Sequence, residues 1–173
     1  DNEPAKCIPV KTAIIPTEQD LSNPRMLCVL GRQHALDQDI DKAIHYYTLA
    51  ADKGYAEAQY QLGVCYGEGK VVSQDDKLAF KYYKLAADQD HAEAQCKTGN
   101  MYYNGHGVPK DDMLAFKYYQ RAADQRHVKA QHFMGCMYYS GFGISKDYTK
   151  AFNCFKLAAD QGYAEAQYEL YCV

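Results

Sequence analysis

A short phrase returns at a fixed interval of 36 residues, and that interval constrains the fold more than any other feature of the chain. Ala50-Ala51-Asp52-Lys53-Gly54 recurs as Ala86-Ala87-Asp88-Gln89-Asp90, as Ala122-Ala123-Asp124-Gln125-Arg126 and as Ala158-Ala159-Asp160-Gln161-Gly162. A second phrase keeps step, at Ala58-Gln59, Ala94-Gln95, Ala130-Gln131 and Ala166-Gln167. A constant period of this size is the mark of an architecture in which one supersecondary unit is stacked upon the next.

The interior of one unit reads as two helices. Over Ala56 to Tyr66, Leu62, Gly63 and Tyr66 share a face, and their counterparts are Gly99 with Tyr102 and Gly135 with Tyr138. A helical Gly costs about 1 kcal/mol relative to Ala, so its return in phase predicts a neighbour too close for a Cβ. A Gly-x-Gly loop with Pro109 follows in the third unit, and Asp75, Asp111 and Asp147 stand where the next helix needs an N-cap. That second helix carries Ala79-Phe80, Tyr83 and Ala86-Ala87, small residues leaving room for rings. Gly54 and Gly162 suit left-handed C-terminal caps, whereas Asp90 and Arg126 in the same phase would carry a cost of about 1–2 kcal/mol. The expected fold class is all-α, an α/α superhelix (solenoid) of stacked antiparallel helix pairs.

In the fourth unit Ala130-Gln131, Gly135, Tyr138, Gly141-Phe142-Gly143-Ile144, Asp147, Lys150-Ala151-Phe152, Phe155 and Ala158-Ala159 follow one another. This run resembles the Sel1-like repeat family, a relative of the tetratricopeptide repeats. The second unit departs from the pattern at Val71, where a loop Gly is missing. Residues 24–53 carry the landmarks Leu30-Gly31 and Ala43 with four fewer loop residues, similar to a tetratricopeptide hairpin. The resulting division is an N-terminal arm over 1–23, extended or disordered around Pro4, Pro9 and Pro16, then a repeat domain over 24–173. Its units run over about 24–54, 55–90, 91–126 and 127–162, with a single helix at 163–173. Leu170, Tyr171 and Val173 make that last helix apolar, which predicts truncation of the stack or a homo-oligomer formed through it.

Composition narrows the function classes. A formal net charge of −3 with 24% charged residues gives no basic footprint for nucleic acid, and no stretch is apolar enough for membrane insertion. The chain starts at Asp1 without a basic n-region or an apolar h-region, so the expectation is either that a leader has been removed or that the sequence starts at an artificial boundary. Seven cysteines, in phases that do not pair across a hairpin, read as free thiols. Free thiols favour a reducing cytosol, including a host cytosol after delivery, over a periplasmic or secreted location.

The resemblance implies that first helices line a concave face which binds a protein or peptide partner. The groove would take Glu57, Tyr60 and Val64 in the second unit, and Glu93, Cys96, Asn100, Tyr103 and Asn104 in the third. Lys129, His132, Cys136 and Tyr139 follow in the fourth unit, and Tyr168 in the last helix. Such a surface would grip a segment through aromatic anchors and amide hydrogen bonds. For Tyr60 and Tyr103, anchoring and simple packing between helices stay open; Tyr66, Tyr102 and Tyr138 read as core. The basic residues of a tetratricopeptide carboxylate clamp are missing.

Catalytic chemistry finds little support. His132 and Cys136 stand i, i+4 on one helix with Cys96 one repeat away, the one grouping that approaches a metal or thiol site, and it reads better as unrelated groove residues. His91 and His127 share a phase at helix starts and read as structural. No metal site, cofactor or enzyme activity is expected. The function implied is a protein–protein interaction scaffold or adaptor, of the kind the family supplies in bacterial–host interplay and signalling. The alternative is a ligand-binding or hydrolytic protein like cysteine-rich relatives linked to β-lactams, against which stands the absence of Ser-x-x-Lys.

Overall fold

A computed structural model of the chain describes residues 17–69 and 73–171, which form ten α-helices and no strand. They are α1 (Glu18–Ser22), α2 (Pro24–Leu36), α3 (Ile40–Asp52), α4 (Ala56–Glu68), α5 (Asp76–Asp88), α6 (Ala92–Asn104), α7 (Asp112–Asp124), α8 (Val128–Ser140), α9 (Tyr148–Asp160) and α10 (Ala164–Glu169). Packing is strongest within the pairs α2/α3, α4/α5, α6/α7 and α8/α9, and each pair packs on the next. The all-α stack of paired helices expected from the period is the fold observed. Among the described residues no helix is long and apolar enough to cross a membrane. Part of the arm departs from expectation, because Glu18–Ser22 is helical instead of extended; residues 1–16 lie outside the described residues.

Local chemistry starts each helix where the sequence places it. Asp75 accepts from the Lys77 and Leu78 amides, Asp111 from Leu114 and Asp147 from Lys150. Such caps contribute about 1 kcal/mol each by satisfying otherwise orphaned N–H groups. Asp90 and Arg126 do keep the left-handed backbone of the glycines they replace, with φ of 61° and 63°. The Asp90 carboxylate compensates by accepting from Arg121 at 3.0 Å and Gln95 at 3.1 Å. The missing glycine at Val71 falls within 70–72, outside the described residues.

The recurrent helical glycine has a specific partner. A Cβ at Gly31, Gly63, Gly99 or Gly135 would lie within 2.5–2.7 Å of a ring carbon of Tyr47, Tyr83, Tyr119 or Phe155, respectively. The close neighbour is an aromatic ring from the second helix of the same unit, packed directly against the glycine. Alanines of both helices are fully buried around it. Between units the rings continue: Phe80 meets Tyr102 edge-on at 5.2 Å, and Phe116 meets Tyr138 at 5.3 Å. Tyr66 and Tyr102 stack on Tyr82 and Tyr118, so these tyrosines pack between helices as expected.

A buried amide ladder completes the joint between units. Gln95, with no exposed surface, donates to the Ala87 carbonyl at 3.2 Å, and Gln59 donates to Ala51 at 3.3 Å. Gln89, Gln125 and Gln161 in turn donate to the Oε1 atoms of Gln59, Gln95 and Gln131 at 2.8, 2.9 and 2.7 Å. Buried amides are tolerated because they are satisfied. The ladder also locks one unit in register with the next.

Candidate functional site

The residues expected in the groove separate into three groups. Glu57 and Glu93 are structural links. Each carboxylate meets the Nε2 of a histidine one unit on, Glu57 with His91 at 3.1 Å and Glu93 with His127 at 2.7 Å. The same histidines cap α6 and α8, their Nδ1 atoms accepting from Ala94 and Ala130. Hydrogen bonding to His127 holds the Glu93 carboxyl below its usual value. Tyr60 stacks on His91 with ring centroids 4.9 Å apart, and burial pushes its phenol up to about 12. Val64 packs against Tyr83 and Met101.

Cys96 does not line a groove. It is 3% exposed and packs with Tyr119 and Met134, because a small side chain in that phase sinks beneath the rings around it. His132 is half-buried, its ring 5.3 Å from Tyr163 and 5.7 Å from Phe155, and its Nε2 is 3.7 Å from Cys136 Sγ. Desolvation lowers its pKa, which favours the neutral ring. Burial pushes the thiols the other way, Cys28 and Cys136 to about 11 and Cys96 to about 12, with Cys65 and Cys154 also raised. At neutral pH these five stay as thiols, not thiolates. Among the described residues no three or more His, Cys, Asp or Glu gather as a metal would need.

The second group meets at one place. Asn100, Tyr103 and Asn104 of α6, with Cys136 of α8, line an open cleft of about 350 Å³ together with Tyr119, Phe133, Met137 and Phe142. Tyr119 reaches across from α7 and donates its hydroxyl to Asn100 Oδ1 at 2.6 Å. Burial raises its pKa far above the ordinary phenol value, so it stays a donor. Asn104 donates its amide to the Asn100 main-chain carbonyl at 2.9 Å. The Phe142 ring stands edge-on to Tyr103 at 6.3 Å. Its loop is held there because Gly143, at φ 69°, presses on the backbone of Asp112 and Met113, where a Cβ would lie at 2.6 Å. A second cleft, of about 340 Å³, lies on the other side of Asn100 and Asn104 and includes Glu68, Asp76 and Lys97.

Lys129, Tyr139 and Tyr168 are exposed and lie outside both clefts, with Tyr168 at 70% and Tyr139 edge-on to Tyr148 at 5.4 Å. Tyr119, Phe133, Met137 and Phe142 escaped sequence reasoning. Phe142 alone left a signal, an aromatic residue inside a Gly-x-Gly loop where the third unit has His106.

Fold and cleft together define a helical repeat scaffold that opens a surface between successive first helices. The repeat model described as Sel1 repeat matches residues 26–55, 56–91, 92–127 and 128–163, and the chain belongs to the Sel1 repeat family. Sel1-repeat proteins are generally protein-interaction scaffolds. Among solved structures, a Sel1 repeat protein from Oxalobacter formigenes is 32% identical with a TM-score of 0.84, over 89% of this chain and 63% of its own. A protective antigen of uropathogenic Escherichia coli with the same fold is 30% identical with a TM-score of 0.82, over 87% of this chain and 34% of that one. Cysteine rich protein B of Helicobacter pylori is 25% identical with a TM-score of 0.58, over 74% and 92%. The mouse protein DAP3-binding cell death enhancer 1 is 32% identical over 72 residues, 40% of this chain. The chain spans 14% of that relative and less than two thirds of the Oxalobacter and Escherichia proteins.

Proposed function

We propose that this chain is an adaptor that captures a segment of a partner protein along its first helices, with the cleft between α6 and α8 as the principal seat. The observation that carries this reading is the cleft itself: aromatic rings of Tyr103, Phe133 and Phe142 open to solvent beside the side-chain amides of Asn100 and Asn104. Rigid rings next to amides are the composition of surfaces that anchor protein segments. Family membership supports the reading, as does the mouse relative, whose name describes binding to another protein. Glu57, Tyr60 and Cys96 have no part in it, since their side chains are committed to the joints between units or to the core.

A photo-crosslinking amino acid placed in turn at Asn104 and Tyr139, and at Lys117 and Lys156 on the second helices, tests the reading in extracts of the source cell. The expected result is one discrete crosslinked protein from the first-helix positions and none from Lys117 or Lys156. Equal capture from both faces, or capture from the second helices alone, would refute the assignment of the face.

A further inference from the structure

Asn100 and Asn104 are one helical turn apart, and their internal hydrogen bonds leave them with opposite free ends. The Asn100 oxygen is taken by Tyr119, so its amide N–H groups are the part left for the cleft. Asn104 spends one amide N–H on the Asn100 main chain, and its carbonyl oxygen is left as an open acceptor. A donor and an acceptor side by side match the C=O and N–H of a single peptide unit in an extended chain. Next to them lies the aromatic cleft, of a size that seats one large apolar side chain.

Charge indicates what flanks that side chain. No carboxylate lines the cleft, and Lys110 holds its ammonium 5.2 Å from the Tyr103 ring and 5.9 Å from Phe142, at the cleft's edge. Lys97 and Lys129 lie close enough to Cys96, one turn before Asn100, to act on its thiol. Of the nearby carboxylates, Glu93 is engaged by His127 at 2.7 Å and Asp112 pairs with Lys110 at 3.4 Å, while Glu68 and Asp76 face the second cleft beyond Asn100 and Asn104. Glu169 acts on Cys136 from α10, the unit beyond. The lining of the cleft carries no acid, and a lysine ammonium stands at its rim. A cationic segment would meet Lys110 on the ring faces it needs.

We propose that the α6/α8 cleft recognises an extended acidic segment, pairing one of its peptide units with Asn100 and Asn104, seating an aromatic or large aliphatic side chain among Tyr103, Phe133 and Phe142, and setting a neighbouring carboxylate against Lys110. This rests on the adaptor reading and gives the chemistry of its partner.

The test uses the full chain and the fluorescein-labelled peptide acetyl-Ser-Asp-Phe-Asp-Ser-amide, read by anisotropy, beside versions with lysine for aspartate or glycine for phenylalanine. The aspartate–phenylalanine peptide is expected to bind, and both altered peptides to bind at least tenfold more weakly. Asn104→Ala weakens binding about fivefold, the effect of one hydrogen-bonding group. Lys110→Glu reverses the preference towards the lysine peptide. Both positions are exposed, and unchanged circular dichroism verifies the fold. Equal binding of the aspartate and lysine peptides, indifference to Asn104→Ala, or no binding of any peptide would overturn the proposal. Crosslinks from Asn104 persisting in that case would leave the adaptor reading standing, whereas their loss would remove both.

Discussion

Gly135→Ala gives the packing of ring on glycine its sharpest test, because the same substitution should change sign with its surroundings. In the native chain the added Cβ would lie 2.5 Å from Phe155 Cε1, 2.6 Å from Cδ1 and 3.0 Å from Cζ, so the ring must shift. Phe155 is 1% exposed and has nowhere to go at low cost. Overpacking of this kind costs about 1–3 kcal/mol, and the gain in helix propensity from Gly to Ala returns about 1 kcal/mol. The net expectation is a loss of about 0–2 kcal/mol. Phe155→Val removes all three clashing ring carbons. In that background Gly135→Ala keeps only its propensity gain and should stabilise by about 1 kcal/mol, for a coupling of about 1–3 kcal/mol across the cycle. Urea unfolding followed by helical circular dichroism measures all four corners. If Gly135→Ala stabilises the native chain as much as the Phe155→Val chain, the ring does not rest on the glycine and the explanation of the repeat's glycine phase is wrong.

Other consequences are open to measurement. Arg126→Gly, at φ 63°, should raise stability by about 1 kcal/mol, while Asp90→Gly, at φ 61°, gains less because it also loses the Arg121 and Gln95 hydrogen bonds; thermal melts that rank them the other way would count against this. The Glu93 carboxyl is held below its ordinary value of 4.5 by His127, so its contribution is present above that pH and is lost as pH falls through the depressed folded value. Glu93→Gln should therefore flatten the decline in stability below pH 4.5, and an unchanged acid limb would contradict the pairing. Cys96, with its thiol pushed up to about 12 in the core, should resist iodoacetamide in the native chain and react fully in urea; rapid native labelling at that site, located by mass spectrometry, would contradict its burial.

The parts of the fold legible in the sequence were those that depend on register and backbone. The 36-residue spacing, the Asp75, Asp111 and Asp147 caps and the left-handed positions at Asp90 and Arg126 can all be read from residue type and phase. The site was less legible, because side chains reach across the units. Phase assigns Cys96 and His132 to equivalent places, yet the thiol is buried and the imidazole half-exposed, since depth depends on the rings next door. The glutamine ladder shows the same limit. Both of its phrases repeat visibly, but nothing in one dimension says that Gln125 reaches Gln95, 30 positions earlier. Tyr119 belongs to a second helix and enters the cleft only by crossing from α7 to Asn100.

In the proposed adaptor, successive first helices form the working face of the stack. Hydrogen–deuterium exchange of the full chain, with and without the partner recovered by crosslinking, measures this without altering a residue. Added protection is expected over α6, α8 and the loop carrying Phe142; protection confined to α5, α7 and α9 would contradict it.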